Sequence, residues 1–134
     1  MFELTFGNRA LKVWAAIARL GRDGIAELVT RCNRLASLLE SRVRAEPDFE
    51  LLAPASLSVV NFRYRPRDRA LDDPALDALN EKISGAISQS GEAHLPTTRV
   101  RGRTSLRACF LHYENNEDDV EHLVQLVGRL GANL

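Results

Sequence analysis

Apolar residues recur at helical spacing near the start of the chain. Leu11, Trp14, Ile17 and Ala18 fall on one face between Ala10 and Leu20, because residues three and four apart share a side of an α-helix. Gly21 and Gly24 in LGRDG then interrupt the pattern and predict the end of a short first helix. A longer stripe follows, made of Ile25, Leu28, Val29, Cys32, Leu35, Leu38, Leu39 and Val43. Arg31, Arg34, Glu40, Arg42 and Arg44 mostly lie off it, and Pro47 stops it.

Beyond Pro47 the period falls to two. DFELLAP is a strand candidate, and Pro54 predicts the turn before a second strand, SLSVVNFRYR. There Val60, Phe62 and Tyr64 share one face while Asn61, Arg63 and Arg65 share the other, with Val59 as the exception. This alternation predicts one core face and one largely wet face. PRDRALDD reads as a loop. Asp73 is then the expected N-cap, Pro74 the first helical position, and Leu76, Leu79, Ile83 and Ile87 the buried stripe of a helix closed by Gly91. AHLPTTRVR and TSLRACFLH form a predicted hairpin around Gly102, and Pro96 assigns the first of them to a sheet edge. Leu106, Ala108 and Phe110 alternate with Arg107, which therefore points away from the core. Asn116 is the expected cap of a last helix. Glu117, Asp118 and Asp119 fill its first turn, Asp119 is the capping-box partner, and Val120, Leu123, Val124, Val127 and Leu130 form its stripe.

The order α α β β α β β α defines an α+β fold. A right-handed β-helix-β step joins parallel strands, and the last strand slots between them antiparallel. The expectation is a four-stranded, mostly antiparallel sheet of order 1-2-4-3 with helices packed on it. Asp73 to Ser90 and Glu117 to Leu130 cover one face, and Ala10 to Arg44 is the candidate cover for the other. With 134 residues, the chain reads as a single domain, 1–134, in which 1–46 are connecting helices and 47–134 the α+β part.

Composition removes several function classes. Hydrophobic residues make up 45% and charged residues 27%, ordinary for a globular protein, and the apolar runs are too short to span a bilayer. The N-terminal MFELTFGNRALKVW carries no signal-peptide pattern, so the cytoplasm is the expected location. Cys32 and Cys109 stand at no ligand spacing and are expected as buried free thiols. Eighteen basic residues balance eighteen acidic ones, so any charge effect is local. Arg63, Arg65, Arg67 and Arg69, with Arg99, Arg101 and Arg103, form two basic clusters. Phe62 and Tyr64 alternate with the arginines instead of sharing a face with them, which argues against a stacking platform for nucleic acid. His94, His112 and His122 are scattered, and neither a metal-ligand set nor a catalytic group can be assembled from spacing. Phosphate-loop, dinucleotide and nucleophile-elbow motifs are absent from the sequence.

Four stretches in order, RALKVWAAIARLGRDGIAELVTRCNRLASLL, DFELLAPASLSVVNFRYRP, LDALNEKISGAISQSGEAHLPTTRVRGRTSLRACF and NNEDDVEHLVQLV, resemble the C-terminal part of the group II pyridoxal-phosphate-dependent amino acid decarboxylases. This family includes aromatic amino acid, glutamate and diaminobutyrate decarboxylases. The resemblance implies a fold type I subunit represented by its small C-terminal domain and the helix leading into it. It implies pyridoxal phosphate as the cofactor of the parent enzyme, held by a lysine Schiff base and a carboxylate in a larger domain. Lys12 and Lys82 are the only lysines. Lys12 matches the helix lysine of ALKVW, and neither stands in the family's Ser/Asn-x-His-Lys setting. No cofactor is therefore expected on this chain, and whether it is an enzyme by itself is left uncertain. Thr5, Phe6, Gly7 and Asn8 also depart from the small residue and Arg-Arg pair that the family carries there.

Arg107 is the one residue to which the resemblance gives a role. In glutamate-type members the corresponding arginine resembles a clamp for a substrate carboxylate, which a guanidinium holds with two parallel hydrogen bonds. The alternative is a structural arginine paired with a carboxylate of the neighbouring domain. Two function classes follow. One is a catalytically incomplete decarboxylase domain or fragment whose partner is the large cofactor domain. The other is a non-enzymatic module that associates with itself through a surface left apolar.

Overall fold

The computed structural model describes residues 9–134, so the departures at Thr5 to Asn8 lie outside the described residues. Two compact units divide the chain between Arg31 and Cys32.

In the first unit the described residues belong to α1 (Arg9–Ala45), broken at Gly21, where φ is 64° and ψ −174°. That left-handed value suits glycine and would strain a residue with a Cβ. The break falls where LGRDG predicts it, while Gly24 remains helical. Val13, Trp14, Ile17 and Leu20 are all exposed, so the first apolar stripe does not form a buried face among the described residues.

The second unit starts in α1, where Cys32, Leu35, Ala36, Leu39 and Val43 are buried. It continues through β1 (Phe49–Ser56), β2 (Val59–Tyr64), α2 (Asp73–Ser90), β3 (Thr97–Val100), β4 (Arg103–Cys109) and α3 (Glu117–Ala132). The four strands form one sheet in the order β1-β2-β4-β3 with every neighbouring pair antiparallel. This is the α+β sheet that the sequence predicts, with β4 between the parallel β2 and β3.

Local chemistry explains where boundaries move. Pro54 lies inside β1, not in a turn: β1 is an edge strand with register shifts, where a missing N–H costs no ladder bond. The turn comes at Leu57, with φ 52°. Asp72, not Asp73, caps α2 by accepting from the Ala75 amide at 2.9 Å. The Asp73 carboxylate is instead 2.9 Å from Arg63 Nη2. Arg101 and Gly102, both at positive φ, make the two-residue hairpin turn. Asn116 and Asp119 close the expected capping box on α3.

Helices α2 and α3 cover the sheet face that carries Val60, Phe62, Leu106 and Ala108, all fully buried or nearly so. Asn80 of α2 is buried but satisfied, accepting from the Tyr64 amide and donating to the carbonyls of Tyr64 and Leu76. A Cβ at Gly131 would stand 2.5 Å from the Tyr64 ring, so α3 approaches that closely only with glycine there. Residues 32–45 of α1 join this same layer. Arg42 and Arg34 pair with Glu121 and Glu117 of α3, and Glu40 accepts from the Ala55 amide. The pattern-based expectation that Ala10 to Arg44 covers the opposite face is therefore corrected for residues 32–45: their polar edge is complementary to α3. Helices α1 (from Cys32), α2 and α3 all lie on one side.

Candidate functional site

The other sheet face carries Asn61, Arg63, Ser105 and Arg107. Cross-strand register sets Asn61 directly opposite Arg107 and Glu50 opposite Arg63. Alternation along β4 turns Arg107 outward between the buried Leu106 and Ala108. Its amide donates to the Pro96 carbonyl at 2.9 Å, which fixes the backbone, while its side chain is exposed. Asn61 Oδ1 beside it is buried and accepts no hydrogen bond among the described residues.

This face is less wet than the alternation predicts. Arg63 is only 2% exposed. Its Nε and Nη2 both lie 2.8 Å from Glu50 Oε2, and Nη2 also reaches Asp73. Glu50 Oε1 takes Arg103 Nη1 at 3.0 Å. Burial pulls the Arg63 pKa down, but the hydrogen bonds and charges of Glu50 and Asp73 outweigh it and hold the group above its ordinary value. Arg63 Nη1 is left buried without a partner among the described residues. The two basic clusters that are separate in sequence thus meet at one carboxylate. Sequence reading missed Glu50, although its position on a strand paired with β2 was a usable signal.

The histidines divide. His112 sits in a turn, stacked on Tyr113 with ring centroids 4.6 Å apart and Nδ1 3.8 Å from Glu114. His94 and His122, distant in sequence, line one cavity of about 270 Å³ together with Cys109 and Glu92. His122 Nε2 is 3.6 Å from Glu92 Oε2, but Glu92 also binds Arg129 at 3.0 Å. No group of three or more metal-ligating side chains occurs among the described residues. Cys32 is buried as expected, whereas Cys109 is exposed; it follows Ala108 at the end of β4 and so points outward, which corrects the expectation of two buried thiols. Lys12 and Lys82 are both exposed on helices. Neither fits the enclosed amine that an aldehyde cofactor requires, and no step of cofactor chemistry is assigned to these residues. No described helix is long and apolar enough to cross a membrane.

Among the described residues this face thus presents the exposed Arg107 guanidinium and two buried polar atoms without a partner, Asn61 Oδ1 and Arg63 Nη1. Comparison with known proteins gives this face its context. A family model, the pyridoxal-dependent decarboxylase conserved domain, matches residues 2–65. The chain is 29% identical over 130 residues to an aromatic-L-amino-acid decarboxylase of Bacillus atrophaeus, covering 97% of this chain and 26% of that protein. It is 28% identical over 125 residues to an L-2,4-diaminobutyrate decarboxylase of Rhizobium meliloti, covering 93% and 25%. Among solved structures, the glutamate decarboxylase domain of a diaminobutyrate-pyruvate transaminase and L-2,4-diaminobutyrate decarboxylase from Vibrio parahaemolyticus superposes with a TM-score of 0.82 at 29% identity, covering 93% of this chain and 26% of that one. The chain thus spans about a quarter of the length of these relatives. Along almost all of its own length, in both sequence and fold, the chain is therefore similar to the C-terminal part of the pyridoxal-phosphate-dependent amino acid decarboxylases.

Proposed function

We propose that this chain acts as the C-terminal domain of a cytoplasmic, pyridoxal-phosphate-dependent amino acid decarboxylase, docking the polar face of its sheet on the cofactor-bearing domain. By itself it has no carboxy-lyase activity. The observation that carries this reading is Arg107, exposed on the sheet face opposite α2 and α3 and adjacent to Asn61, whose buried Oδ1 has no donor among the described residues. A buried polar atom left unpaired costs free energy that a partner surface can recover. Pyridoxal phosphate, bound in the larger domain, would supply the electron sink for decarboxylation. Arg107 would hold a carboxylate, either of the amino acid substrate or of the neighbouring domain, by paired hydrogen bonds.

The test is reconstitution. The chain alone, and the chain mixed with a separately expressed cofactor domain of a relative, are assayed for carbon dioxide release from glutamate, diaminobutyrate and aromatic amino acids. Activity is expected only in the mixture, and Arg107→Gln is expected to lower it. Turnover by the chain alone, or a visible Schiff-base absorbance at Lys12 or Lys82 on adding the cofactor, would overturn the reading.

A second reading, self-association, has its own support. Val13, Trp14, Ile17 and Leu20 expose apolar surface in the first unit, whereas the sheet face opposite α2 and α3 is polar. Analytical ultracentrifugation of the chain and of Trp14→Asp tests it: a concentration-dependent dimer abolished by the substitution supports the reading, and a strict monomer removes it.

A further inference from the structure

The connection between β2 and α2 borders a cavity of about 480 Å³ that the proposed role leaves unused. Arg65, Arg67 and Arg69 all line it, with Glu50, Phe49 and Leu71. The segment is held by its own backbone: the Arg65 amide donates to the Asp48 carbonyl at 2.7 Å, and the Leu71 amide to the Arg69 carbonyl at 3.0 Å. The Arg67 amide donates to Asp48 Oδ1 at 2.8 Å.

Two of the guanidiniums are anchored on neutral acceptors. Arg67 Nε donates to the Pro47 carbonyl at 2.8 Å, and Arg69 Nη2 to the Gly131 carbonyl at 3.1 Å. Neither has a salt bridge to a carboxylate among the described residues, so each guanidinium is positioned without being locked in an ion pair. Asp48 and Asp68 line an adjoining cavity that Arg67 and Arg69 also border, not this one. The one carboxylate in the wall, Glu50, is engaged by Arg63 at 2.8 Å and Arg103 at 3.0 Å, and Arg65 stands further off at 3.9 Å. The cavity therefore carries a cationic excess, with Phe49 and Leu71 providing apolar wall beside it.

The geometry points to a binding site for a small organic phosphate. Guanidinium forks match phosphate oxygens with paired, charge-assisted hydrogen bonds. Anchoring on carbonyls reduces the rotamer freedom lost on binding. The volume lies within the roughly 300–1,000 Å³ of ordinary small-ligand pockets. The apolar wall distinguishes an organic phosphate from the bare ion, because only the former has apolar surface to bury there.

Isothermal titration of the full chain with phenyl phosphate, ATP and inorganic phosphate tests the site. Phenyl phosphate and ATP are expected to bind saturably, more tightly than inorganic phosphate, and more weakly as salt rises. Arg65→Gln and Arg67→Gln are each expected to weaken binding about tenfold, the order expected for one charged hydrogen-bond partner. Lys82→Gln, which removes an exposed charge on α2, should leave it unchanged. The Arg65 side chain is exposed and makes only a long contact to Glu50 among the described residues, so its substitution keeps the test valid if Arg67→Gln fails to fold. No saturable binding at millimolar ligand, equal affinity for inorganic phosphate, or equal weakening by Lys82→Gln would each overturn the proposal.

Discussion

The two faces of the sheet are built from the same strands but on opposite physical terms. On the helix-covered face, Val60, Phe62 and Leu106 are completely buried, and each gains by leaving water without needing a particular partner. On the opposite face, Arg63 is almost as buried, yet every donor it brings must be matched, and Nη1 has no partner among the described residues. The first face is set by composition and spacing. The second is set by which side chain meets which, and so remains receptive to a partner.

The largest expected effect breaks the covered face. Phe62 is fully buried and touches the Phe49 ring, with centroids 6.0 Å apart. Phe62→Ala should cost about 3–5 kcal/mol, through lost transfer energy and the cavity left behind. Urea denaturation followed by circular dichroism measures it as a lower midpoint with little change in slope.

A smaller effect is expected on the opposite face. Glu50→Gln leaves Arg63 and Arg103 facing a neutral amide, with one buried guanidinium poorly compensated. Because Glu50 is itself partly exposed, the cost should be about 2 kcal/mol, below that of breaking a fully buried pair. Arg63→Met with Glu50→Gln should cost less than Glu50→Gln alone, since the stranded charge is gone. A double-mutant cycle reads that coupling. If the double variant is the less stable, Arg63 contributes by packing and the contrast between the faces is weaker than drawn.

The contrast also explains what could be read in the sequence. Sheet order, the buried stripe of α2 and the capping box were legible because each depends on local spacing or on one short motif. The face of Arg107 was legible for the same reason. The burial of Arg63 was not, because it depends on Glu50, Arg103 and Asp73, which three different elements deliver. The shared cavity of His94 and His122 and the carbonyl anchors of Arg67 and Arg69 are likewise products of tertiary approach. The side on which residues 32–45 of α1 pack was misassigned because a stripe marks apolar residues but not which neighbour buries them, and Trp14, Ile17 and Val29 stay exposed.

Polar contacts on the helix side titrate, which separates them from the hydrophobic layer. The Arg44 hydrogen bond, then the Ala55 amide, hold the Glu40 carboxyl below its ordinary pKa despite partial desolvation. Since the folded value is depressed, the charged form is favoured in the folded state. Its stabilisation is full above the unfolded value of about 4.3 and is lost as pH falls through the folded value. Glu40→Gln should therefore cost about 1 kcal/mol near neutral pH, and the difference from wild type should shrink in acid. A constant difference down to pH 3, roughly a unit below the unfolded value, would mean that the contact does not depend on charge.

The smallest effect on stability should come from Arg107→Gln, and its smallness is what sharpens the comparison. Arg107 is exposed, and it donates a hydrogen bond to Pro96 through its amide, which the substitution keeps. Surface replacements of this kind usually stay within about 0.5 kcal/mol. Arg63, its neighbour on the same face, differs because its guanidinium is already committed to Glu50 and Asp73. A residue held for folding loses stability when removed, whereas one held for a partner loses only the partner. Arg107→Gln should thus unfold at nearly the wild-type urea concentration while weakening association with a cofactor domain. A loss above about 1 kcal/mol in the isolated chain would instead place Arg107 among the residues that hold the fold together.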